Sequence, residues 1–344
     1  MPVVTRYLLQ RVAFLLPQLL LISVVTFLLI RLLPGDPARL QLGPFASQEG
    51  VDTLRQEMRL DEPTPTQYAT YLERIAQGDF GRSWVNSSDV GADLVERVPA
   101  TLELMALGML VVAVVLVPLG VVAASREGGR LGRLARKGTF GYGLAAGSTP
   151  DFWLGLILLY LFFTVFGVLP GPEGRLAIGE APPDRITGMY TVDSLLHGDL
   201  QTFASAATHL LLPVVTLAFV YGAPIFKMTV AATSDAVQSD YTRYASALGL
   251  PRRKVLGFAF RNAAPPVIVM TGVVSGYLLG GAVLIETVFN LNGVGQYAVQ
   301  AITSADYAPI QGFVLVAATF TMLVYLAVDL AYFAIDPRAA KGAR

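Results

Sequence analysis

Residues 101–124 read TLELMALGMLVVAVVLVPLGVVAA, a stretch in which the single ionisable side chain is Glu103. A helix needs about 20 mainly apolar residues to cross the ~30 Å hydrocarbon core of a bilayer, so this stretch is long enough to do it. Drawn at 100–124, it is the second of six such runs; the others are 12–32, 139–169, 208–231, 265–289 and 309–333. The run at 139–169 is interrupted at Pro150 and Asp151. Composition agrees: of 344 residues 54% are hydrophobic and 15% charged, where soluble domains carry about 25% charged residues. Mean hydropathy is +0.57. The expected fold is an all-α integral membrane protein with six transmembrane helices.

Charge placement gives the orientation, because translocating Lys and Arg is disfavoured and the side richer in them is cytoplasmic. Segments 1–11, 125–138, 232–264 and 334–344, with Lys227 at the edge of the fourth run, hold sixteen Lys and Arg. The alternate segments hold eight, over much longer lengths. Both termini are therefore expected in the cytoplasm. Arg6 and Arg11 before the first run also suit a signal peptide. Its apolar stretch, however, exceeds the ~7–15 residues of a cleavable segment and no A-x-A site follows, so it reads as an anchor.

Several kinds of chemistry are excluded. The absence of cysteine removes disulfides, thiol catalysis and cysteine-ligated metals, and His197 and His209 are the only histidines. Lys and Arg number 25 against 25 Asp and Glu, which leaves no net basic field for nucleic acid. There is no G-x-x-x-x-G-K-[ST] phosphate cradle, no H-E-x-x-H and no G-x-S-x-G. The longest non-membrane segment, 33–99, is far too short for a nucleotide-hydrolysing domain. No enzyme activity and no directly bound cofactor or metal is expected. Energy has to come from a partner or an ion gradient.

Four ionisable residues within the runs are costly enough to need a reason: Glu103, Asp151, Glu286 and Asp329. Glu103 and Asp329 lie near helix ends, where snorkelling or headgroup contact accounts for them. Asp151 follows Pro150 at a break, where it can cap the next helix half or line a pathway. Glu286, near the outer end of the fifth run, must face protein or a wet cavity, as a pathway or gate residue or as a structural hydrogen-bonding group. Gly143 and Gly147 share one helical stripe in the third run, as do Gly272, Gly276 and Gly280 in the fifth. Such stripes permit close helix approach, expected within the chain for the first and at a mobile or subunit-facing helix for the second.

Among the exported segments, 33–99 contains Thr64-Pro65-Thr66-Gln67, with the residue types of a capping box, then Tyr68, Tyr71, Leu72 and Ile75 at helical spacing. With Gly78 as a stop, that predicts a short amphipathic helix over the outer mouth. Residues 170–207 are rich in Pro and Gly without a period, and no helix is placed there; 290–308 is the last exported loop.

The cytoplasmic segment 232–264 carries the sharpest punctuation, at 239–254, which reads SDYTRYASALGLPRRK. Ser239 or Asp240 can cap a start, Gly249 is a left-handed stop, and Pro251 suits the first position of a second helix running towards Ala264. A two-turn helix needs something packed on it, because isolated helices below ~12–15 residues are marginal in water. Arg252, Arg253 and Lys254 stand at the helix end that the macrodipole makes unfavourable for cations. Carboxylates on a partner, or anionic headgroups of membrane lipid, would offset that.

Tyr241-Thr242-Arg243, Ala245, Ala247, Gly249-Leu250, Arg261-Asn262-Ala263 and Pro266 together resemble the cytoplasmic EAA-type loop of permeases of binding-protein-dependent ABC importers, in the dipeptide, oligopeptide and nickel subgroup. Further matches follow in order along nearly the whole chain. They are Leu33-Pro34-Gly35-Asp36-Pro37, Gln67-Tyr68, Gly78-Asp79-Phe80-Gly81, Pro99 with Thr101, and Pro150 with Phe152. Leu212-Pro213, Glu286 with Phe289, Gly293 with Gly295, and Asp329 with Tyr332 and Asp336-Pro337-Arg338 complete the set.

The resemblance implies an ABC importer type I permease-like fold in a bacterial or archaeal cytoplasmic membrane. It implies a coupling element of Tyr241, Arg243, Ala245, Gly249, Leu250 and Pro251 docking on an ATPase, with Ala245 and Ala247 permitting close approach. The implied partners are a second homologous permease subunit, two ATP-binding subunits that use the ATP, and an extracytoplasmic substrate-binding protein. The implied cargo is a di- or oligopeptide, with nickel or a small glycan conjugate behind it. Two positions depart from the pattern: Arg243 stands where the general motif has glutamate, and Gly257-Phe258 replaces a basic-histidine pair. The residues alone also admit an ion-coupled secondary transporter relaying through Glu286 or Asp151, or a membrane scaffold that moves nothing.

Overall fold

The computed structural model describes residues 3–31, 37–43, 45–57, 59–125 and 129–335. The match at Leu33-Pro34-Gly35-Asp36, the cation Arg126, and the tail with Asp336, Pro337, Arg338, Lys341 and Arg344 lie outside them. The described residues are helical, with one isolated antiparallel bridge between Arg82 and Asp89. In chain order the helices are α1 (Val3–Arg31), α2 (Pro37–Leu42), α3 (Gln48–Glu57), α4 (Thr64–Ala76), α5 (Val90–Val111), α6 (Val117–Ser125) and α7 (Gly129–Ser148). They continue with α8 (Asp151–Leu159), α9 (Tyr190–His197), α10 (Leu200–Gln238), α11 (Asp240–Ala247), α12 (Arg252–Phe289), α13 (Val294–Thr303) and α14 (Tyr307–Ile335). A π-helical segment, Val112–Leu116, joins α5 to α6, and another, Tyr160–Val165, extends α8.

Among the described residues four helices are long and apolar enough to cross a bilayer: Val90–Ser125, Leu200–Gln238, Arg252–Phe289 and Tyr307–Tyr332. In the first run the apolar helix is the shorter Ala13–Leu29, inside α1. The third run is not one straight span, for Lys137–Ser148 and Asp151–Val165 meet at 98°. Thr149 precedes a proline and is thereby pushed out of the helical region, and Pro150 itself is extended at φ −60°, ψ 136°.

The α10 and α12 helices differ most from their sequence runs. They are 39 and 38 residues long, so the expected spans 208–231 and 265–289 are only parts of them. The helix expected to stop near Ala264 instead continues through Pro265 and Pro266 to Phe289. At 1.5 Å per residue each is roughly 57–59 Å long, about twice the hydrocarbon thickness. Apolar runs mark where lipid begins and ends; the helices persist beyond because they pack on each other. Three buried clusters follow that seam: Leu217 with Leu278 and Ile285, then Ile225 with Val267 and Val274, then Ala236 with Ala259 and Ala263. The α5 helix closes on the same core through Leu104 and Met105, and Gly108 lets Leu217 approach it.

Outside the spans, α4 begins at Thr64, but the capping box does not form. Pro63 is the N-cap without a side-chain bond, and Gln67 Nε2 instead donates to the carbonyls of Leu60 (3.2 Å) and Glu62 (2.7 Å). The α4 helix lies against α1: Tyr68 Oη is 2.8 Å from Ser23 Oγ, and the rings of Tyr68 and Tyr71 sit 5.1 and 5.7 Å from that of Phe27. The unplaced segment 170–207 contains α9 and the first turns of α10. Buried Asp306, between α13 and α14, accepts a 2.6 Å bond from Ser83 Oγ and so ties the segment 33–99 to the segment 290–308.

Candidate functional site

The corner between α10 and α12 is braced from within. Ser239 Oγ and Thr242 Oγ1 both donate to the carbonyl of Ala236, at 2.6 and 2.7 Å, which folds α11 back on the end of α10. Gly249 takes φ +74°, the left-handed conformation expected of it, and its N–H bonds the Ser246 carbonyl at 3.0 Å. Pro251 is the N-cap of α12 rather than its first residue, and Ser239 caps α11 without a side-chain bond. Arg252 donates to the carbonyl of Ser125, the last residue of α6. A helix C-terminus favours a cation, so this contact offsets the unfavourable place of Arg252 at the start of α12.

Of the six residues assigned to coupling, Tyr241, Arg243, Gly249 and Pro251 are exposed and Ala245 and Leu250 are half-buried. Sequence reasoning missed three others. Thr242 is the buried anchor, while Tyr244 and Leu248 are 68% and 62% exposed. Tyr241, Tyr244 and Leu248 recur at i, i+3 and i+7, an exposed apolar stripe that nothing among the described residues buries, and that spacing was the available signal.

Glu286 is wholly buried and receives the start of α13. Thr101 Oγ1 donates to its Oε1, the Gln296 N–H donates to Oε2 at 2.9 Å, and Thr101 Oγ1 in turn accepts from the Val294 N–H at 3.0 Å. A carboxylate at a helix N-terminus is favoured by the unpaired N–H groups there. Gly293-x-Gly295 makes room for it: a Cβ on Gly293 would collide with the carboxylate, and one on Gly295 would come within 2.7 Å of Val283 Cα. Glu286 thus has the geometry of a structural hydrogen-bonding group that pins α13 between α5 and α12.

Glu103 does not snorkel to headgroups. It is buried, accepts from the Thr191 N–H (2.7 Å) and Oγ1 (2.6 Å), and lies 3.6 Å from Arg175 Nη1. Arg175 is itself held by the Gly188 carbonyl at 3.1 Å and by the Tyr190 ring, 3.5 Å away. The turn before α9 is shaped by Asp193, whose carboxylate accepts from the N–H groups of Ile186, Thr187 and Gly188 and from Thr187 Oγ1. Burial pushes its carboxyl up, but those donors outweigh burial and hold it below the usual value. The segment 170–207, which lacks sequence periodicity, is therefore organised by side-chain bonds.

Asp151 is 8% exposed at the 98° corner. The N-cap of α8 is Pro150, without a side-chain bond; Asp151, its first residue, accepts at Oδ1 from the Phe152 N–H at 2.7 Å and at Oδ2 from Tyr221 Oη at 2.7 Å. It lines a cavity of about 510 Å³ with Gly147, Tyr221, Lys227 and Tyr277. Of the stripe expected to pack within the chain, Gly143 does so, crossed by the side chain of Lys227 from α10, whereas Gly147 faces open space; both border this cavity. In α12, Gly272 and Gly276 pack on Val328 and Tyr325 of α14, so these two serve contacts inside the chain. Gly280 has no atom within 4 Å of where its Cβ would be. Among the described residues no cluster of three or more His, Cys, Asp or Glu is placed to hold a metal ion.

Comparison with known proteins accounts for nearly the whole chain. Residues 4–105 match the N-terminal part of binding-protein-dependent transport system membrane components, and 116–341 match the binding-protein-dependent transport system inner membrane component. The chain is 40% identical over 323 residues to a probable D,D-dipeptide transport system permease protein of Escherichia coli (strain K12), covering 93% of each. It is 37% identical over 333 residues to a di/tripeptide transport system permease protein of Pseudomonas aeruginosa, covering 96% of this chain and 97% of the relative. To a dipeptide transport system permease protein of Alkalihalophilus pseudofirmus it is 34% identical over 336 residues, covering 96% and 98%. These matches leave the ion-coupled and scaffold alternatives without support, and the chain belongs to the binding-protein-dependent transport system inner membrane components, as a multi-pass permease of the inner membrane.

Proposed function

We propose that this permease supplies one half of the translocation pathway of an ATP-driven importer for di- or oligopeptides. A second, homologous permease subunit completes the pathway, a binding protein delivers cargo to the exported face, and two ATP-binding subunits grip the corner at 239–254. The chain crosses the membrane six times, counting α1 and the bent α7–α8 pair as one pass each, with both termini in the cytoplasm. The names of the peptide-transporting relatives support the cargo class, and the excess of Lys and Arg on alternate segments supports the orientation.

The observation that carries this reading is the place of α11. It joins the far ends of two helices that are each about twice as long as the bilayer is thick and are packed together along their length. A displacement imposed at the exposed Tyr241, Tyr244 and Leu248 passes into rigid helices whose other ends reach the exported side. Closure of the ATP-binding subunits would thus bias two arrangements of the spans through differential contact at one short lever.

The test is co-purification and reconstitution. The expected outcome is stable association with two ATP-binding subunits, hydrolysis stimulated by the binding protein, and ATP-dependent dipeptide accumulation in vesicles. Accumulation by the permease alone, without ATP, would overturn it.

A further inference from the structure

The cavity at the α7–α8 corner holds two opposite charges that neither the coupling corner nor the Glu286 cluster uses. Asp151 spends one bond on its own helix and one on Tyr221, and an ionised carboxylate has about four acceptor sites, so it retains capacity for a further donor. Lys227, on α10, lies across Gly143, where the missing Cβ is what admits it. Among the described residues Lys227 pairs with no carboxylate. Asp151 is nearly buried and Lys227 is exposed on the wall of this open cavity; an ammonium and a carboxylate that face one cavity without pairing to each other leave both able to meet a ligand that carries two opposite charges.

Their spacing limits what that ligand can be. Tyr221, which holds Asp151, and Lys227 are six residues apart on α10, ~9 Å of helix rise. An extended peptide advances ~3.3–3.6 Å per residue, so the ammonium and carboxylate lie roughly 7 Å apart in a dipeptide and roughly 10 Å apart in a tripeptide, lengths that bracket that rise. A lone cation would be repelled by Lys227 and a lone anion by Asp151. Gly147 leaves the wall open between them, and a site that grips only the two termini passes any side chains.

The geometry points to a station for short zwitterionic peptides in this cavity: Asp151 with Tyr221 takes the N-terminal ammonium and Lys227 the C-terminal carboxylate. It rests on the peptide-import reading and adds to it a place where the permease itself touches cargo.

The chain has no cysteine, which makes a clean test available. A Gly147→Cys variant puts a thiol on the cavity wall at a position with no atom within 4 Å of the new Cβ. In the assembled transporter turning over with ATP and binding protein, Ala-Ala is expected to slow maleimide labelling of that thiol at least fivefold. Adding Lys227→Gln should abolish the protection although the same binding protein delivers the same peptide, and adding Lys227→Arg should keep it. Protection that survives Lys227→Gln, or none at all while the unsubstituted transporter accumulates Ala-Ala, would overturn the station and leave peptide import standing. Failure of the unsubstituted transporter to accumulate any dipeptide would instead remove the import reading, and the station with it. If Lys227→Gln fails to assemble, Asp151→Asn in the Gly147→Cys background decides by the same measure.

Discussion

At Gly249 the demand is on the backbone alone, since φ is +74° and a Cβ there would meet nothing within 4 Å. A left-handed conformation costs an ordinary L-residue ~1–2 kcal/mol, more when β-branched, whereas Asn tolerates it. Gly249→Val is therefore expected to leave membrane insertion intact but to weaken association with the ATP-binding subunits and uptake, and Gly249→Asn to do much less. Equal damage from both, by co-purification ratio and transport rate, would count against the backbone explanation. The glycines beside Glu286 make the opposite case, in which space decides. Gly293→Ala presses on a carboxylate that can pivot, while Gly295→Ala meets Val283 Cα, which belongs to the α12 backbone. Overpacking of this kind costs ~1–3 kcal/mol, and Gly295→Ala is expected to lower the melting temperature of the solubilised protein more than Gly293→Ala does.

At the level of elements, α9 and the turn before it show how a segment without periodicity becomes ordered. The Asp193 carboxyl is held below its usual value of 3.8, so its ionised form stabilises the fold at every pH above that value, and the stabilisation is lost as pH falls through the lowered folded-state value. Amide exchange at 186–188 should stay protected from pH 7 to pH 5 and lose protection only in acid below about pH 3.8; Asp193→Ala should remove it throughout. Loss of protection already between pH 6 and 5 would show that a different group controls the turn. Legibility differed between elements for a physical reason. The α4 and α11 helices were readable because proline and glycine act within a few positions, although the side-chain caps expected of them do not form. The ends of α10 and α12 were not, because hydropathy reports the lipid boundary while the helices are prolonged by packing on each other. Thr242 escaped notice because a threonine becomes an anchor only once the Ala236 carbonyl is folded beside it.

At the level of the whole molecule, Glu103 and Arg175 join a membrane helix to the segment before α9, seventy-two positions along the chain. Removing one partner of a buried pair strands the other charge, at a cost of ~3–5 kcal/mol, whereas replacing both is far milder. Arg175→Met is expected to destabilise the protein strongly by thermal or denaturant unfolding in detergent, and adding Glu103→Gln to restore much of the loss. An additive double variant would show that the pair is not coupled. Membrane class, the order of the apolar runs and the glycine-proline corner followed from the chain alone, because each depends on composition or on neighbours a few residues away. The 98° turn at Pro150, the embrace of Glu286 by α13, the burial of Glu103 and the meeting of Asp151 with Lys227 in one cavity were decided only by the tertiary structure. Each of those brings together residues far apart in sequence, and which polar groups meet inside a bilayer depends on how helices cross, which no local pattern records.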